Sequence, residues 1–223
     1  MFIGIGTPLP DLASLPGTSR PGSGGGGIVL PQIDNDYYLQ FDGIDDYFSI
    51  SNPTIFTDFS LSFWYKKDSA VASYDTVVGK DTIDGGILTS IVFTSDKLYF
   101  KNRPGSWTAL TTTTSSDTEF KYYSVTYNST ANELKGYCNG VLEVTTTPVF
   151  SGATGSEQSF DRIGRYNSGN YLDGFLDELA AFDYVLSPGD INAIYDATDI
   201  AGKKCADLSS MATQPVAWYR MGD

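Results

Sequence analysis

The sequence predicts an all-β sandwich of two antiparallel sheets, with one short helix near its end and an extended arm at each terminus. Three observations carry that expectation. Short runs rich in Tyr, Phe, Val, Thr and Ser recur between turn residues along most of the chain, as a pleated, half-buried surface requires. The run Phe59-Ser60-Leu61-Ser62-Phe63-Trp64-Tyr65 alternates, which sends Phe59, Leu61 and Phe63 to one face of a strand. Helical spacing stands out once: Ile191, Ile194 and Tyr195 recur behind a helix-opening Ser187-Pro188-Gly189-Asp190, with Ser187 as N-cap, Pro188 at N1 and Asp190 at N3.

In chain order, residues 1–30 read as an arm. Thr7 to Gly22, TPLPDLASLPGTSRPG, runs through Ser23 into Gly24 to Gly27, a segment too poor in apolar surface to fold alone, with a flexible joint at its end. Two readings of the arm stand side by side. It is a disordered terminus, or it orders against another subunit through Phe2, Ile3, Ile5, Leu9, Leu12 and Leu15, leaving its own sandwich free.

Residues 31–198 form the sandwich. Strands are expected at 36–41, 46–51, 59–66, 75–80, 86–93, 97–102, 106–112, 121–127, 134–139, 141–147, 159–164 and 175–184. Asn139-Gly140 between KGYC and VLEV is the strongest hairpin turn. The last strand carries two acids, Asp177 and Glu178, inside an apolar run, and the helix follows at 188–197. Residues 199–223 are a tail whose Trp218-Tyr219 pair calls for a surface to dock on, either the sandwich or a neighbour.

Composition narrows the function classes. With 14 basic and 27 acidic residues the chain carries a net charge of −13, which repels phosphates and argues against nucleic-acid partners. No run approaches the ~20 apolar residues of a membrane span, so membrane insertion is not expected. The start MFIGIGTPLPDL lacks a basic n-region and a long apolar h-region, which predicts no signal peptide; the Asn128-Ser129-Thr130 sequon is discounted with it. Two cysteines, Cys138 and Cys205, are expected as free thiols rather than as a disulfide framework. The sequence contains no histidine, which removes Ser-His-Asp triads, Cys-His pairs and imidazole zinc sites.

Two segments resemble the bookends of the laminin-G-like, concanavalin-A-like jelly-roll family. They are Phe41-Asp42-Gly43-Ile44-Asp45-Asp46-Tyr47-Phe48 near the start and Gly174-Phe175-Leu176-Asp177-Glu178-Leu179, with Leu186-Ser187, near the end. FSLSFWYK, VVGKD and YYSVTYNSTANELKGYCNGVLE follow in family order between them, so the resemblance covers roughly residues 37 to 198. It implies a jelly-roll order of strands. It also implies a structural calcium held by Asp42, Gly43 and Asp177; the alternative is that both aspartates accept hydrogen bonds from turn amides. Relatives that cleave β-glucans carry an E-x-D-x-x-E strand, and the matching text Asp177 to Asp183 departs from it, so no enzyme is expected. For glycan or receptor binding the loop candidates are Arg103 and Trp107, then Arg165, Tyr166, Asn167 and Tyr171; the alternative is that Trp107 and Tyr171 pack inward. The terminal segments are similar to those of structural proteins of tailed bacteriophages. That implies a virion protein, a capsid decoration or a tail or fibre component, made in the host cytoplasm. It would be homo-oligomeric and attached to other virion proteins by arm and tail, with a lectin-like adhesin for host surface glycans as the alternative.

Overall fold

The computed structural model describes residues 7–8, 28–51, 53–54, 56–68, 74–80, 89–102, 106–148, 159–166 and 169–221. The strands, in chain order, are β1 (Thr7–Pro8), β2 (Gln32–Asp34), β3 (Tyr37–Asp42), β4 (Phe48–Ser49), β5 (Phe59–Lys67), β6 (Asp75–Gly79) and β7 (Thr89–Thr94). Next come β8 (Lys97–Asn102), β9 (Ser106–Ala109), β10 (Lys121–Asn128), β11 (Glu133–Cys138), β12 (Val141–Thr146), β13 (Arg162–Ile163), β14 (Arg165–Tyr166) and β15 (Asn170–Tyr171). The chain closes with β16 (Asp173–Phe182), α1 (Pro188–Ala197), β17 (Lys204–Ala206) and β18 (Ala217–Tyr219).

Two sheets stack face to face. The first runs β1-β3-β16-β5-β10-β11-β12, with β18 taking the edge of β16 beyond the point where β3 ends. The second runs β4-β13-β6-β7-β8-β9. Described pairings are antiparallel, and sequential strands are often not neighbours, as in a jelly roll. Phe59, Leu61 and Phe63 do share one face and pack into the inter-sheet core with Phe93, Leu98, Phe100, Tyr123 and Val125. The Asn139-Gly140 turn forms as expected, with both residues at positive φ (50° and 79°), the geometry a two-residue hairpin needs and Gly accepts without strain.

The other face of the first sheet is covered as well. Trp64, Tyr122, Tyr137, Ala180 and Phe182 face outward into a second cluster closed by Leu186, Ile191, Ile194, Ala206 and Leu208. The polar positions of β5 are therefore buried too. Ser60 is matched by donating to the Tyr184 carbonyl (2.8 Å) and accepting from the Leu186 amide (2.8 Å). Helix α1 begins where expected, under a reciprocal box: the Asp190 amide donates to Ser187 Oγ (3.1 Å) and the Ser187 amide to Asp190 Oδ2 (3.0 Å).

The structure departs from the sequence reading in two strands and in the arm. Expected strands 46–51 and 159–164 shrink to the two-residue pairs of β4 and β13. The tail docks on the sandwich, one of the two surfaces expected for Trp218-Tyr219: β16 leaves an edge open beyond β3 for β18 to fill, and β17 pairs with β2. The arm was expected to lie away from its own sandwich. Among its described residues, Thr7–Pro8 instead pair with Tyr38 and Tyr37 at the otherwise open edge of β3, and Leu30 is buried in the second cluster. Phe2, Ile3, Ile5, Leu9, Leu12 and Leu15 fall outside the described residues. No helix among the described residues is long and apolar enough to cross a membrane.

Candidate functional site

The outer face of the six-stranded sheet gathers aromatic and cationic side chains. In β8, Leu98 and Phe100 enter the core, so Tyr99 and Lys101 between and after them point outward. Lys101 pairs with Trp107 of edge strand β9, placing both on this face. Trp107 stacks on Tyr74, which precedes β6, with ring centroids 4.9 Å apart and planes 14° from parallel. Trp107 remains 36% and Tyr74 37% exposed. Tyr99 meets the Trp107 ring edge-on at 6.2 Å. The Lys101 ammonium sits over three rings, 4.6 Å from Trp107, 5.3 Å from Tyr74 and 4.3 Å from Tyr166, a cation–π arrangement that orients the cluster.

The small hairpin of β14 and β15 lies across β6 and builds the rest of the face. Gly79 permits this approach: a Cβ there would stand 2.6 Å from the Arg165 carbonyl oxygen. Tyr166 is buried beneath the hairpin, while Arg165 reaches the other way. Its guanidinium lies 3.8 Å over the ring of Tyr47, which precedes β4, and Tyr47 contacts Tyr171 at 6.3 Å. Arg162 approaches the same Tyr47 ring at 6.0 Å and is held by Asp161, whose carboxylate is 3.6 Å away.

Of the residues singled out in the sequence, Trp107, Arg165, Tyr166 and Tyr171 therefore come to one face. Trp107 and Tyr171 keep part of their rings at the surface, and Tyr166 packs inward. Arg103 and Asn167 fall outside the described residues. Sequence reasoning missed Tyr47, Tyr74 and Lys101. The alternation of Leu98, Tyr99, Phe100 and Lys101 carried the signal for Lys101, whereas Tyr74 and Tyr47 arrive from strand ends that no periodicity marks.

The calcium set does not assemble. Asp42 pairs with Asp173, and Leu176 with Leu39, so Asp177 stands four residues farther along β16, on the order of 13 Å at ~3.3 Å per residue. A β-bulge at Asp177 and Glu178, with Glu178 at φ 51°, turns both consecutive side chains away from the inter-sheet core. Asp177, fully buried, accepts from Asn35 Nδ2 (2.8 Å) and from the Glu178 amide (2.9 Å). Glu178 accepts from Trp218 Nε1 (2.7 Å) and faces the Arg220 guanidinium at 3.7 Å. These acids thus fasten the segment before β3 and the tail to the sheet. The carboxylates that do converge are Asp42, Asp45 and Asp46, with one oxygen of each within 4.8 Å of the others. Partial burial and then the charge of Asp42 raise the Asp46 carboxyl above its ordinary range. Asp42 Oδ1 already accepts from the amides of Ile44 (2.8 Å) and Asp45 (3.3 Å), the turn role foreseen as the alternative.

Comparisons with known proteins agree with this architecture. No curated protein sequence matches the chain. Among solved structures, a heptameric SAP-like pentraxin from Limulus polyphemus superposes with a TM-score of 0.59 at 12% identity, covering 83% of this chain and 92% of its own. A candidate carbohydrate-binding protein from Bacteroides ovatus gives 0.58 at 15% identity, with 86% of this chain covered but 52% of that protein. The CBM40 domain of a Ruminococcus gnavus sialidase, bound to α2,3-sialyllactose, gives 0.50 at 14% identity over 70% of this chain and 98% of its own. At these identities the likeness concerns the fold. A family model for the concanavalin A-like lectin/glucanases superfamily matches residues 42–192, from the Asp42 turn through both sheets into α1, and the chain belongs to that superfamily.

Proposed function

We propose that the chain is a non-catalytic carbohydrate-binding module whose binding face is the outer surface of the six-stranded sheet. The observation that carries this is the stacked Trp107–Tyr74 pair, two large rings each exposed by more than a third at the rim of a rigid sheet. Exposed rings on a rigid scaffold offer flat apolar surface for the C–H faces of a sugar, and neighbouring Lys101 and Arg165 carry directional donors for hydroxyls. Two proteins sharing the fold are described as sugar binders, in keeping with this reading. Binding is favoured over hydrolysis because the acids of the terminal strand, Asp177 and Glu178, are engaged in fastening the chain to itself.

The experiment is a glycan array with the full chain, repeated with Trp107→Ala and Tyr74→Ala. The expected result is retention of a defined glycan class, weakened at least about tenfold by either substitution, a loss of about 1.4 kcal/mol, with an unchanged circular dichroism spectrum. An array on which nothing is retained, or on which both variants bind as the parent does, overturns the proposal.

A second reading concerns where such a module is displayed. The proline- and glycine-bearing segment 1–27, with Phe2, Ile3, Ile5, Leu9, Leu12 and Leu15 spaced along it, is the feature that favours attachment to a larger assembly such as a virion. Thr7–Pro8 of this segment pair with the chain's own β3, as β17 and β18 pair with β2 and β16, so attachment would fall to the arm's other residues. Sedimentation of the full chain and of a chain lacking residues 1–27 tests it. An assembly lost on deletion supports arm-mediated association, and two monomers refute self-assembly through the arm.

A further inference from the structure

We propose that the face takes an extended glycan chain rather than a single terminal sugar, using a second stacking station at Tyr47 and Tyr171; this rests on the carbohydrate reading above. Trp107 lies on β9, one edge of the six-stranded sheet, and Tyr47 immediately precedes β4, the other edge. Six strands leave five gaps, so at ~4.8 Å per gap the two stations stand on the order of 24 Å apart across the strands, several sugar rings in length. The face between them is lined without a change of chemistry. Lys101, opposite Trp107, reaches Tyr166 at 4.3 Å, and the next residue, Arg165, covers Tyr47 at 3.8 Å, with Tyr171 beside it at 6.3 Å. Tyr47 and Tyr171 are both partly exposed. A monosaccharide reaches one station alone. A chain lying across the strands engages both, and the second contact then forms at high effective concentration.

The test uses the full chain and oligosaccharide ladders from monosaccharide to hexasaccharide, of β-glucan, xylan, arabinan, galacturonan and sialyl-lactosamine, titrated by calorimetry. For the ladder that binds, affinity should rise at least about tenfold from the monosaccharide to the longest member. Tyr47→Ala should cost about tenfold on the longest member and nothing measurable on the shortest, whereas Trp107→Ala weakens both. Tyr171→Ala removes the same distal station and serves where Tyr47→Ala fails to fold. An affinity flat with length, or distal variants that bind the longest member as the parent does, overturns the extended-chain inference while the carbohydrate reading stands. Failure of every ladder and of the array removes both.

Discussion

Tyr65 of β5 and Asp75 of β6 meet across the gap between the two sheets, with the Tyr65 hydroxyl 3.1 Å from Asp75 Oδ2 and 3.0 Å from the Asp173 carbonyl oxygen. One hydroxyl carries one proton, so it can donate to only one of these acceptors. With Asp75 protonated the relay closes: Asp75 donates to Tyr65, and Tyr65 donates to Asp173. The environment favours that state. Burial is the main cause that raises the Asp75 carboxyl from about 3.8 to about 7, with Asp173 and Asp96 adding to it, while the Tyr65 hydrogen bond and Lys67 oppose.

The first prediction is a stability that falls as pH rises. Because the folded state holds the Asp75 proton more tightly than the unfolded chain, the stabilisation is complete below about pH 4. It is lost as pH rises through about 7. A shift of that size corresponds to at most about 4 kcal/mol. Urea titrations at pH 4.5, 6 and 8 should show Asp75→Asn losing much of the parent's pH dependence. Parallel pH profiles for the two proteins would rule the relay out.

Removal of the helix cap should be modest and measurable. Ser187→Ala removes the Oγ that accepts from the Asp190 amide, leaving the Ser187 amide–Asp190 arm in place, and should cost about 1 kcal/mol, read as a lowered midpoint at constant slope in urea. A loss above about 3 kcal/mol would mean that Ser187 does more than cap.

The acids of the β16 bulge should make the tail indispensable. Trp218→Phe keeps a ring but removes the Nε1–H that Glu178 accepts, at an expected cost of about 1–3 kcal/mol in chemical denaturation. Ending the chain before Lys204 strips Trp218 and Arg220 from Glu178 and Ala206 and Leu208 from the second cluster. Such a chain should show no cooperative unfolding transition; a transition like the parent's would place the tail outside the fold.

Both thiols should be silent in the native state. Cys138 and Cys205 are free and buried, and burial pushes the Cys138 thiol up to about 12 and raises Cys205 as well. Ellman's reagent should therefore register no fast-reacting thiol in buffer and both in denaturant. Fast reaction of Cys205 in buffer would show that the tail opens readily.

Much of the scaffold was legible because its signals are local. The alternation at Phe59 to Tyr65, the Asn139-Gly140 turn and the Ser187 box act within a few residues, and each formed where expected. The site was only partly legible. Trp107, Arg165 and Tyr171 were visible as aromatic and cationic loop residues, but their partners Tyr74, Lys101 and Tyr47 come from three other parts of the chain. Asp42 and Asp177 failed as a pair for a related reason: the family motif names the residues, while strand register decides which of them face each other.

The amino-acid sequence by itself determined the class of fold, the places of most strands along the chain and the place of α1, because propensity, turn chemistry and composition need no distant partner. Tertiary structure alone decided that the tail completes a second core, that the bulge turns Asp177 and Glu178 to the same side, and that Tyr47, Lys101 and Trp107 share one face. Those outcomes depend on which sheet edges remain open and on the register between strands far apart in sequence, and an edge or a register exists only once the sheets have formed.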